Sequence, residues 1–300
     1  MTAALRREAR CAGNPARFHA SKESAMNTLA TSLTREQPSH SSAFQAILSS
    51  DTLQQRVPAV FAPGAHERTS PSYTFISTAR VLDALKLAGF EPVEARQATR
   101  ARSPVHARHL IRLRRRFETI QLRDAIPEIV FLNSHDGTSA YQLRVGLFRV
   151  VCTNGLIVSA GVFPTWRVMH RGDVVADVVT AALQITERFG ALVAAVERME
   201  HTSLDRLQQL DFAAEAITLR FPKDLHGGLQ PSQLLVPRRA EDAGNDLWRT
   251  FNVVQENILR GGLVRRSASH RLTRTRRITA IREDVRLNSG LWELALARAA

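Results

Sequence analysis

The sequence predicts an α+β protein: a central antiparallel sheet over roughly residues 73–170, followed by a mainly helical C-terminal half. Three observations carry this reading. Apolar and polar residues alternate with period two in His109–Gln121 and again in Tyr141–Leu147. Asp136-Gly137 and Asn154-Gly155 sit between apolar runs, where a hairpin needs residues that tolerate positive φ. From Asp173 onward the apolar residues recur every three or four positions, the spacing of one helix face.

In chain order, Tyr73–Ile76 reads as a short strand. Ser77 or Thr78 caps a helix with Val81, Leu82, Leu85 and Ala88 on one face, and Gly89 ends it. Phe90–Val93 resumes extended structure. Within His109–Gln121, Arg112, Arg114 and Arg116 fall on one face and Ile111, Leu113 and Phe117 on the other, which predicts a positively charged sheet face. A helix is the competing assignment there, because Leu110, Leu113 and Phe117 also fit helical spacing. Ile129–Leu132, Tyr141–Cys152, Leu156–Val158 and Trp166–Met169 complete the strands. Helices are expected over Asp173–Met199, from Ser203 or Asp205 toward Phe221, from Asn245 to Gly261-Gly262, and from Asn288 or Ser289 through Leu291–Ala299. Pro222–Pro237 reads as a loop and Gly262–Arg277 as a basic loop plus strand.

Residues 1–43 form a separate case. They lack an apolar core and read as a disordered or mis-annotated tail, with Met26 an alternative start, leaving 44–300 as a single α+β domain. The run Val150–Trp166 is too polar to span a bilayer, and no membrane partner is expected from it. Cys11 and Cys152 are the only cysteines, which argues against a disulfide framework and for a cytoplasmic setting.

Charge is the compositional anomaly. Lys+Arg is 41 against Asp+Glu 28, a net +13, and only Lys22, Lys86 and Lys223 are lysines. Arg96–Arg123 holds nine arginines against Glu118, and Arg260–Arg286 holds nine against Glu283 and Asp284. Arginine forks match phosphate oxygens, so Arg108, Arg112, Arg114, Arg115 and Arg116, with Arg265, Arg266, Arg271, Arg274, Arg276 and Arg277, are the candidate DNA- or RNA-binding residues. Phe117 is the only aromatic in these segments, so phosphate contact fits better than base stacking. A solvated charged face explains such runs equally, and a GC-rich genome explains the arginine-to-lysine ratio but not the net excess.

No Gly-rich phosphate loop, metal-binding His/Glu helix or G-x-S-x-G elbow is present, so no cofactor and no metal are expected. His135-Asp136, flanked by Ser134, Thr138 and Ser139, permits a tuned acid/base pair or a turn that caps its own amides. Cys152 reads as a buried thiol or as a nucleophile served by His135 or His170.

Asn133–Val158, NSHDGTSAYQLRVGLFRVVCTNGLIV, resembles the signature of the phage/plasmid-like family called domain of unknown function 932. The likeness extends through residues 58–67, 75–95, 165–173, 248–263 and 287–299. It implies a mobile-element protein and singles out Ser134, His135, Asp136, Gly137, Arg149, Cys152, Asn154 and His170, of which Ser134, His135, Asp136, Arg149, Asn154 and His170 form the candidate polar site. Three functions are expected in turn: nucleic-acid binding through arginine strips; a non-enzymatic interaction protein acting on a host factor; and an enzyme using His135, Asp136, Arg149 and His170.

Overall fold

The computed structural model describes residues 47–116, 125–149, 155–158, 163–170, 172–221, 226–267 and 269–299, with 155–158 described by backbone alone. The expected tail over 1–43, the extension of the arginine strand beyond 116, and Cys152 and Asn154 lie outside these residues.

A short helix, α1 (Ser50–Arg56), precedes α2 (Thr78–Leu87), whose N-cap Ser77 accepts the Arg80 amide at 3.3 Å. Gly89, with φ +87°, turns the chain out of α2 into β1 (Phe90–Gln97). β2 (His109–Arg115), β3 (Ala125–Asn133) and β4 (Tyr141–Arg149) follow as an antiparallel meander. β5 (Gly155–Val158) pairs with the far end of β4 and β6 (Trp166–Val168) with its near end, giving six strands in the order β1-β2-β3-β4 with β5 and β6 sharing the last edge. The central antiparallel sheet and the helical C-terminal half are therefore as the patterning predicts.

Tyr73–Ile76 is not a strand. The Thr74 amide bonds to the His170 carbonyl at 3.1 Å and the Ile76 carbonyl accepts the Tyr141 hydroxyl at 2.5 Å, so no ladder forms. Downstream, the expected single helix is two, α3 (Val174–Thr186) and α4 (Phe189–His201). The break follows Thr186, whose hydroxyl bonds back to the Leu183 carbonyl at 2.7 Å, an interaction that bends helices. The stretch Val174–His201 is long and apolar enough by composition to cross a membrane, but Val178, Ile185, Phe189, Leu192 and Val196 are buried in the protein core.

α5 (Arg206–Arg220) opens with a capping box between Asp205 and Gln208. α6 (Leu247–Arg260) is capped by Asp246, one residue beyond the expected Asn245, and ends at Gly261 with φ +72°. The segment Val264–Arg274 forms a hairpin, β7 (Val264–Arg266) with β8 (Leu272–Arg274). α7 (Ile281–Leu296) starts well before the expected cap. Asn288 is buried mid-helix, donating to Asp284 at 2.7 Å and accepting from Gln255 of α6 at 2.7 Å. Its polarity serves a tertiary contact, and sequence position alone does not distinguish that from capping.

The sheet has two unlike faces. Ile111, Leu113, Ile129, Phe131, Tyr141, Leu143, Val145 and Leu147 join the helices in one large core. On the other face Leu110, Val130, Leu132 and Phe148 form a smaller apolar cluster with Ile281 and Val285 of α7. There a Cβ on Gly146 would stand 2.4 Å from the Phe148 ring, so only glycine lets that ring fold across the strand. Arg112 rests on the same ring, 3.5 Å from its centroid.

Candidate anion-binding cleft

The second face of the sheet is only partly covered by α7, and the gap is a cleft of about 730 Å³. The register explains its lining. Leu132, Gln142 and Arg167 form one cross-strand row, and Val130 and Arg144 the next, so β4 and β6 point polar side chains toward α7 beside the apolar residues of β3. Arg108, Arg144 and Arg167 line the sheet side, Arg282, Arg286 and Glu293 the helix side, with Leu219 of α5 between them. Among the described residues, five guanidinium groups thus line the cleft with one carboxylate.

These arginines are not equivalent. Arg286 is held by Glu283 at 2.6 Å and donates to the Leu219 carbonyl at 2.8 Å. Arg108 reaches toward Thr138, 3.4 Å from its carbonyl. Arg144 donates to Gln142 at 3.3 Å, and its pKa is lowered by burial and then by the neighbouring Arg167 charge. Among the described residues no carboxylate pairs with Arg167 or Arg282, both exposed. Like charges gathered on half-dehydrated walls favour an anion between them.

The positive stripe expected from Arg112, Arg114 and Arg116 is corrected. Their alternation is real, but carboxylates on neighbouring strands neutralise it. Arg112 binds Glu94 and, at 2.7 Å, Glu128; Arg114 binds Glu128 at 2.7 Å; Arg116 binds Glu91. Glu128 is fully buried, so the face is an ion-paired layer and not a free cationic surface. Arg115 alone of that group is exposed without a carboxylate partner among the described residues. In the second strip Arg265 lies over the Phe221 ring, while Arg266, Arg271, Arg274, Arg276 and Arg277 are exposed and pair with no carboxylate among the described residues.

The candidate polar residues occupy three places. Ser134 and Asp136 close their own turn: Asp136 Oδ1 accepts from Ser134 at 2.7 Å, from the Thr138 hydroxyl at 2.6 Å and from the Thr138 amide at 3.0 Å. Burial would raise the Asp136 carboxyl, but these bonds hold it below the usual range. His135 points away from them, into a buried cluster at the end of the sheet beside the start of α2. His109 Nδ1 lies 2.9 Å from the Ala107 carbonyl and therefore carries its proton. Its Nε2 accepts from Thr78 at 2.9 Å, and Thr78 Oγ1 in turn accepts from His135 Nε2 at 3.1 Å and Asn133 Nδ2 at 3.1 Å. Burial, and for His135 the neighbouring histidines after it, lower the two rings to about 4 and about 3. Both imidazoles are neutral at pH 7. His170 lies between Tyr73 and Tyr141, 4.4 Å from each ring centroid.

Arg149 stands apart from all of these. It pairs with Asp242 at 2.7 Å, at the opposite end of β4 from Tyr141, roughly 26 Å away at 3.3 Å per residue. An ion-paired chain continues from the buried Asp242 to Arg239, then to the buried Glu256 and the exposed Arg260. His135 is near enough to His170 to feel its charge, while Asp136 serves its turn and Arg149 a separate network. The cleft itself combines residues 108, 144, 167, 282 and 286. Only the excess of arginine over acid signalled it in the sequence, because α7 must lie on the sheet before these residues meet.

Comparison with known proteins places the chain. The family model for the domain of unknown function (DUF932) matches residues 65–292. The chain is 42% identical over 253 residues to the UPF0380 protein YafZ of Escherichia coli (strain K12), covering 83% of this chain and 91% of that protein. It is 41% identical over 251 residues to the UPF0380 protein YfjQ of the same organism, covering 83% and 90%. No solved structure matches. The chain belongs to the DUF932 family.

Proposed function

We propose that the protein binds nucleic acid, seating backbone phosphates in the arginine-lined cleft between the sheet and α7. The observation that carries this is the placement of Arg144 and Arg167 side by side in that cleft, opposite Arg282, with Glu293 the one carboxylate among its described lining residues. A phosphate there relieves the mutual repulsion and accepts forked hydrogen bonds. The scarcity of aromatic side chains in the lining argues for phosphate contact over base stacking. The resemblance of Asn133–Val158 to phage and plasmid-like proteins supports a mobile-element setting for this activity.

The test is fluorescence anisotropy with single- and double-stranded DNA and RNA at low salt. The wild type binds, and affinity falls steeply with salt as counterions are released. Replacing Arg144, Arg167 and Arg282 together by Ser weakens binding and flattens the salt slope by up to about three units. Absence of affinity for every nucleic acid at low salt removes the reading. A nuclease-resistant protein partner recovered from the native host in that case favours the interaction-protein alternative.

A further inference from the structure

We infer that the β7–β8 hairpin is a ribbon that enters the major groove of duplex DNA. The proposal rests on the reading of the protein as a nucleic-acid binder, but it concerns a different element from the cleft. Among the described residues β7 and β8 pair only with each other, and an isolated two-stranded hairpin is marginal in water. This one is anchored at its base. The Gln233 side chain accepts the Val264 amide at 2.8 Å and donates to the Val264 carbonyl at 3.0 Å, and the Arg266 amide bonds to the Gly227 carbonyl at 2.7 Å. Its loop is closed by the Ser267 amide on the Arg271 carbonyl at 2.8 Å.

The register assigns the faces. Val264 pairs with Arg274, Arg265 with Thr273 and Arg266 with Leu272. Arg265 turns back onto the Phe221 ring, 5.1 Å from its centroid, so the Arg265/Thr273 face looks inward. Val264, Arg266, Leu272 and Arg274 then share the outer face, with arginine and aliphatic side chains on alternating corners. Leu272 is 69% exposed and Val264 36%. Leu272 is exposed between arginines that have no carboxylate partner among the described residues, so it adds little to the packing of the fold. It does have the chemistry of groove recognition: arginine forks fit guanine O6 and N7, and aliphatic groups contact the thymine methyl. The B-form major groove admits a two-stranded ribbon, whereas the A-form major groove of RNA is too deep and narrow. Arg271, Arg276 and Arg277, exposed on either side, lie where the flanking phosphates would run.

The experiment uses the full chain with a mixed-sequence DNA duplex, the matching single strand and the matching RNA duplex. Anisotropy gives affinity, and dimethyl sulfate reports protection of guanine N7, a major-groove atom. The wild type prefers the DNA duplex and protects guanine N7. The Arg266→Ser/Arg274→Ser variant loses at least about tenfold in duplex affinity, together with the protection. Because those arginines also bond to the His270 and Gly262 carbonyls, Leu272→Ser serves as a second variant that leaves the hairpin's hydrogen bonds intact. It weakens the duplex complex while leaving single-strand affinity unchanged. Duplex binding without N7 protection, or with affinity unchanged in both variants, overturns the ribbon and leaves the cleft reading standing. Binding of single strands alone does the same. Loss of all nucleic-acid binding from the wild type removes both.

Discussion

Arg149 on β4 meets Asp242 at 2.7 Å, and the carboxylate is only 2% exposed. Without Arg149 the buried carboxylate keeps only Arg239, so Arg149→Ala is expected to destabilise the fold by up to about 3 kcal/mol, below the cost of leaving a charge with no partner. Urea denaturation reads the loss. Replacing both partners by apolar residues of similar volume should recover most of it.

The Glu128 cluster makes a related prediction. Arg112 and Arg114 both reach this fully buried carboxylate. Changing both to Ser is expected to cost about 3–5 kcal/mol, where exposed arginines would contribute about 0–1 kcal/mol each. If the double variant has the wild-type urea midpoint, the ion-paired layer is wrong and the arginines face water.

Acid should weaken the protein through its histidines. The unfolded chain takes up protons near pH 6.5, while His109 and His135 in the fold resist until about 4 and about 3. Because the folded pKa values lie below the unfolded one, their contribution is complete above about pH 6.5. It is lost as pH falls from there toward 4 and then 3, by about 1.4 kcal/mol per pH unit for each ring. Urea midpoints for wild type and His109→Gln across pH 7 to 4 check this. The variant starts lower at pH 7, and its curve is shallower by the share of one histidine.

Gly146→Ala tests the layer above the sheet. The new Cβ meets the Phe148 ring at 2.4 Å and Val130 at 2.8 Å. Overpacking of this kind costs about 1–3 kcal/mol. Phe148 is buried beneath Arg112, so the change should also disturb the Arg112–Glu128 pair. Pairing Gly146→Ala with Phe148→Leu should restore part of the stability, measured by the same urea series.

The fold was more legible than the site. Alternation in Tyr141–Leu147 and the Asp136-Gly137 turn located β4 and its connection, because period two and positive φ are local properties of the chain. The break at Thr186 and the early start of α7 were not local. Asn288 looks like a cap until Gln255 on another helix claims it. The arginine stripe shows the same limit. Spacing placed Arg112, Arg114 and Arg116 on one face, yet it could not show that Glu94 and Glu128 on adjoining strands would face them. Likewise, Arg144 and Arg282 share a cleft only because α7 crosses the sheet.

The two borders of the sheet bear on how the protein behaves when crowded. A bare outer strand is a template on which another chain can build. Here β1 carries Pro92 and a register shift between Pro92 and Glu94, and its Pro92 carbonyl is already taken by the Leu48 amide at 2.7 Å. The opposite border is divided between two strands of four and three residues, too short to guide a regular ladder. Both ends of the sheet therefore discourage strand-by-strand growth into aggregates.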